Sequence, residues 1–160
     1  MDYNMTLKKI LSWTAVIIWM GLIFYLSHQP AVESSRLSQG ITEVIIQAVE
    51  KVFPNLEFDL RNLNHFVRKN AHFCAYLILG FLVVKALWIS GAAGVKGMVL
   101  ALVICVLYAV SDEVHQMFIP GRSGEVRDVF IDSVGAGIGI GLYWMAAGRV
   151  KNAGYKRRFG

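Results

Sequence analysis

Residues 10–26 read Ile10-Leu11-Ser12-Trp13-Thr14-Ala15-Val16-Ile17-Ile18-Trp19-Met20-Gly21-Leu22-Ile23-Phe24-Tyr25-Leu26, seventeen positions without a charge. A helix needs about 20 predominantly apolar residues to cross the hydrocarbon core of a bilayer. The apolar core of a signal peptide is shorter, about 7–15 residues, and no small-x-small cleavage site follows this run. It ends at Ser27-His28-Gln29-Pro30 and reads as a retained membrane helix. Further apolar runs lie at about 71–89, 97–112 and 129–147.

The composition agrees. Hydrophobic residues are 56% of the 160-residue chain, charged residues 17%, and the mean hydropathy is +0.51. A soluble domain carries about 25% charged and 45–50% apolar residues. Disorder, collagen, a coiled coil and a disulfide-stapled secreted scaffold are excluded. Four spans consume roughly half the chain, which leaves one membrane domain over 1–160 and no room for a separate soluble catalytic domain.

A net charge of +5 and a pI near 9.4 raise the question of nucleic acid, and the positions of the cations answer it. Lys8 and Lys9 precede the first apolar run, and Arg149, Lys151, Lys156, Arg157 and Arg158 follow the last. Basic residues flanking apolar segments orient a protein in a membrane and do not make a nucleic-acid surface. With both termini cytoplasmic, nine cations fall inside and seven outside. Lys85 sits near the far end of the second span, where a lysine snorkels to the interface.

The long outer connection, 27–70, contains an amphipathic pattern at about 35–53. Leu37, Ile41, Val44, Ile45, Ala48, Val49 and Val52 recur at helical spacing behind a Ser34 or Ser35 cap. The expected fold is therefore all-α, a four-transmembrane-helix bundle with an extra amphipathic helix in the long extracytoplasmic loop. In the last span Ser133, Gly137 and Gly141 fall one turn apart, a face on which another helix packs closely, most simply a seam within the protein. Cys74 and Cys105 lie within spans and read as buried free thiols.

Two polar stretches stand out, and the topology brings them to the same side of the membrane. In the first, His65, Lys69, His72 and Tyr76 share one helical face. In the second, Asp112 shares a face with His115 and Gln116. Pro120-Gly121 supplies a turn and Arg122 follows it, and Asp128 then shares a face with Asp132. Ionisable residues at membrane depth are costly, so they face the interior, pair with one another and mark function. A self-neutralised ion-pair network is the plain alternative to a ligand site.

The string Lys69-x-x-His72-Phe73-x-x-Tyr76, then Ser111-Asp112-Glu113-x-His115-Gln116-x-Phe118-x-Pro120-Gly121-Arg122-Ser123-Gly124-x-x-x-Asp128, resembles the VanZ-like family of small bacterial membrane proteins. The resemblance runs from about Lys9 to Tyr143. Where that family often has Asn, this chain has Asp132. The resemblance implies a multi-pass protein of the bacterial plasma membrane and an association with glycopeptide (teicoplanin) resistance. It implies no established reaction and no cofactor.

The expectation is a binding protein. An outer-leaflet pocket of Lys69, His72, Tyr76, Asp112, Glu113, His115, Gln116, Arg122, Arg127, Asp128 and Asp132 would take the polar or anionic headgroup of a membrane lipid or lipid-linked cell-wall precursor. Arginine geometry suits phosphate and carboxylate. The alternative is an intramembrane hydrolase or transferase using the His/Asp/Glu cluster. No His-Glu-x-x-His, Cys-x-x-Cys, P-loop or Gly-x-Ser-x-Gly supports it, and no metal is assigned. A homo-oligomer or a larger envelope complex is the third possibility.

Overall fold

The structure is a computed structural model that describes residues 3–30, 60–122 and 124–159, with Arg36, Gly40 and Val44 between the first two stretches. The described residues form four helices: α1 (Tyr3–Ser27), α2 (Leu60–Ile89), α3 (Val95–Gln116) and α4 (Val126–Phe159). Each is long and apolar enough to cross a membrane, over Tyr3–Ser27, Lys69–Ile89, Val95–Gln116 and Val126–Ala147. At 1.5 Å per residue the shortest of these, 21 residues, reaches roughly 31 Å, about the thickness of the hydrocarbon core. The spans expected from sequence fall within them. The amphipathic helix expected at about 35–53 lies outside the described residues but for Arg36, Gly40 and Val44.

Glycine punctuates both described connections. After α2, Gly91 takes φ 104°, a conformation that costs a residue without Cβ little. Ala92 N–H then bonds Leu87 O at 2.9 Å and Gly91 N–H bonds Trp88 O at 3.2 Å. Those paired bonds make a Schellman cap, which satisfies carbonyls the helix end leaves open. After α3, Pro120-Gly121 turns the chain as its residue types predict. Gly121 takes φ 76° and Arg122 N–H bonds Ile119 O at 3.1 Å, a type II pattern.

The second helix is the centre of the bundle. It packs against all three others and most extensively against α4. Tyr76, Leu79, Val83 and Ala86 follow one another at helical spacing and are fully buried. Large apolar residues such as Ile17, Ile18, Leu107, Phe130 and Trp144 point outward and are more than half exposed. In water such a surface would aggregate; in a bilayer it is the contact with lipid.

The seam between α2 and α4 differs in register from the expected one. A Cβ at Gly137 or Gly141 would meet nothing within 4 Å, so these glycines do not face the packing partner. The contact is made two positions earlier. A Cβ at Gly135 would strike the Phe73 carbonyl, one at Gly139 the Leu77 carbonyl, and one at Gly80 the Ala136 backbone. Ser133 instead donates to its own helix at Val129 O, 2.6 Å away. Two residues along a helix is a rotation of about 200°, so the two small-residue stripes lie on nearly opposite faces. Gly135 and Gly139 continue the stripe of Asp128 and Asp132, and their close approach brings those acids up to α2.

Polar bonds seat α1. Trp19 Nε1 donates to Ala75 O at 2.8 Å, and Trp13 Nε1 donates to Ser90 Oγ at 3.1 Å. From α3, Tyr108 Oη donates to Met20 O at 2.6 Å. Cys105 is buried, as expected, but Cys74 is exposed. Only one of the two thiols is therefore a core residue.

Candidate functional site

The buried stripe of α3 changes character along its length. Gly97, Ala101, Cys105 and Ala109 are small and apolar, and then come Asp112, Glu113 and Gln116. Where the stripe turns polar, the N-terminal half of α2 and the start of α4 close around it. Between them lies a cleft of about 80 Å³ lined by Lys69, His72, Glu113, Gln116, Gly121, Arg122, Glu125, Asp128, Ile131 and Asp132. The two polar stretches of the sequence thus meet.

Lys69 spans the mouth. Its Nζ lies 2.8 Å from Asp128 Oδ1 and 3.2 Å from Glu125 Oε2. Opposite, Glu113 Oε1 accepts the backbone N–H of Glu125 at 2.6 Å. That bond ties the last turn of α3 to the segment leading into α4, whose first turn also carries Asp128. An acidic side chain there complements the positive end of the helix dipole. Arg122 Nη2 reaches Leu26 O near the end of α1 at 3.4 Å. A cation at a helix C-terminus is the matching arrangement.

The deeper groups are less evenly matched. Asp132 is 3% exposed, and its Oδ2 lies 3.9 Å from His72 Nδ1. Its Oδ1 has no hydrogen-bond partner among the described residues. Buried polar atoms nearly always have a partner, so an orphan of this kind calls for an explanation. Asp112, 2% exposed, accepts from Ser27 Oγ at 2.7 Å and from Gln116 Nε2 at 3.3 Å. Tyr76 is fully buried one turn below His72, its ring centroid 6.1 Å from that of Tyr108.

Of the residues expected at one site, Lys69, His72, Glu113, Gln116, Arg122, Asp128 and Asp132 line the cleft. Asp112 and Tyr76 are buried but do not line it. Arg127 is exposed on the outside of α4. His115 turns away to α1, where its Nε2 lies 3.1 Å from His28 Nδ1 and its ring stacks on Phe24 at 4.3 Å. Sequence reasoning missed Glu125 and Ser27. An acid three residues before Asp128 at a helix start is a signal of the first. A lone serine closing an apolar run is scarcely a signal of the second. Ser123 lies outside the described residues.

Four apolar helices and a charged cleft at one end of the bundle define a multi-pass membrane protein with a polar site built between its spans. The chain belongs to the VanZ/LLP1 family, which matches residues 12–147. No curated protein and no solved structure matches it.

Proposed function

We propose that this protein binds the polar headgroup of a membrane lipid or lipid-linked cell-wall precursor in the cleft between α2, α3 and α4. The observation that carries this reading is a charged cleft, with Lys69 and Asp132 on facing helices, opening at the membrane end of an otherwise apolar bundle. Size supports a terminal group as the ligand. A volume of about 80 Å³ is several times smaller than the pockets of about 300–1,000 Å³ that hold drug-sized ligands. A glycopeptide antibiotic does not fit; a headgroup terminus does, with its acyl or polyprenyl chain between helices. Nine cations inside against seven outside favour the outer leaflet for this end of the bundle, with both termini cytoplasmic. Any effect on glycopeptide resistance would then act through the precursor or the surface, not through capture of the drug.

The experiment is mass spectrometry of lipids retained by the protein purified in mild detergent, for wild type and Arg122→Ala. A headgroup class enriched over the membrane and lost in a well-folded variant supports the reading. A lipid profile indistinguishable from bulk membrane counts against it. The catalytic alternative draws on one feature, His72 beside the buried Asp132, a pairing able to hold and pass a proton. Turnover of a lipid-linked substrate by purified protein would establish it.

A further inference from the structure

The cleft has more negative than positive groups. Its walls carry the carboxylates of Glu113, Glu125, Asp128 and Asp132, four in all, against the cations Lys69 and Arg122. Lys69 is engaged by Asp128 and Glu125 at the mouth. Of the two deep carboxylates, Asp132 faces the His72 imidazole through one oxygen only, Oδ2, at 3.9 Å. Glu113 is 7% exposed and Asp132 3%, and Asp112 and Asp128 lie within electrostatic reach of Asp132. Burying like charges together is unfavourable unless a positive group joins them.

Asp132 Oδ1 is a buried acceptor at the cleft wall without a hydrogen-bond partner among the described residues. Gln116 donates its amide nitrogen to Asp112, which leaves its carbonyl oxygen as a second acceptor on the lining. Among the described residues no three His, Cys, Asp or Glu converge closely enough to hold a metal ion. Acceptors spread around a small space suit a donor that points several N–H bonds outward, which is what an ammonium does.

We infer that the headgroup recognised in the cleft carries a primary ammonium, seated on Asp132 and Gln116, so that the site selects amine-bearing lipids over purely anionic ones. This rests on the headgroup-binding reading above. An aminoethyl terminus matches the volume, and the phosphate it carries would remain at the mouth near Lys69 and Arg122.

The test is calorimetric titration of the purified protein in neutral maltoside micelles with EDTA present. The probes are dihexanoyl phosphatidylethanolamine, its N-acetyl derivative, dihexanoyl phosphatidylglycerol and free phosphoethanolamine. The amine lipid should bind roughly tenfold or more tightly than the N-acetyl form, the loss expected when a charge-assisted hydrogen bond goes. Asp132→Asn should erase that preference. Should Asp132→Asn fail to fold, the comparison of lipids on wild type still decides.

Equal binding of the amine and N-acetyl lipids overturns the ammonium inference and leaves headgroup binding standing, as does tighter binding of phosphatidylglycerol. No binding of any probe removes the headgroup reading itself. Free phosphoethanolamine binding as tightly as the lipid supports the ammonium site but overturns its assignment to a lipid.

Discussion

Glu113 on α3 holds the backbone N–H of Glu125 at 2.6 Å, twelve residues along the chain. This bond ties the start of α4, the helix that carries Asp128 and Asp132, to the last turn of α3. Replacing Glu113 by Ala removes the acceptor, and losing a helix-end cap of this kind costs about 0.5–2 kcal/mol. Glu113→Gln keeps an acceptor oxygen and should retain most of the stability. Thermal melting of both variants, with amide exchange across 124–128, checks this. Equal melting temperatures for Glu113→Ala and wild type would contradict it.

The buried pair Ser27 and Asp112 predicts strong coupling. Ser27→Ala withdraws a donor from a buried carboxylate and should destabilise by about 1–2 kcal/mol, at the upper end for a bond between membrane helices. In an Asp112→Asn background the same change should matter less, since the charge that needed the donor is gone. A double-mutant cycle measures the difference, and additive effects would show that the bond contributes nothing specific.

The two glycine stripes of α4 make opposite predictions. Gly139→Ala places a methyl into the Leu77 backbone and should cost about 1–3 kcal/mol through overpacking. Gly137→Ala meets open space and should be neutral or stabilise by about 0.5–1 kcal/mol from helix propensity. Melting in detergent distinguishes them. The reverse order would restore the seam expected from sequence and break the one described.

Orientation is checked by labelling in a Cys74→Ala, Cys105→Ala background. Met117→Cys and Ala93→Cys lie in exposed positions at opposite ends of the bundle. With both termini cytoplasmic, Met117→Cys reacts with an impermeant maleimide in intact cells and Ala93→Cys only after permeabilisation. The opposite pattern would move the cleft to the inner leaflet.

The spans were legible because bilayer thickness acts on composition, and composition needs no partner to be read. The turn at Pro120-Gly121 was legible for a similar reason, since its backbone demand is local. What failed depended on which way a helix is rotated. Gly135 and Gly137 are equally small, and only the position of α2 tells which one packs. Asp112, His115 and Gln116 look alike on a helical projection, yet Asp112 and His115 both meet the end of α1 and only Gln116 lines the cleft. Glu125 escaped because its role comes from Glu113 and Lys69, neither of them its neighbour in sequence.

The bonds that seat α1 have a consequence for its alignment. In lipid, a helix gains little from burying apolar side chains, because the tails around it are as apolar as its neighbours. Sliding α1 along the bundle by one turn would barely change its greasy contacts. It would break the contacts from Trp13, Trp19, Met20 and Ser27 all at once, since each partner sits at a fixed height. Bonds between membrane helices are worth only about 0.6 kcal/mol each on average, yet those at separate heights act together like the teeth of a ratchet. The same helix end also places Leu26 O under Arg122 and His28 against His115, so the vertical setting of α1 is tied to the shape of the cleft mouth.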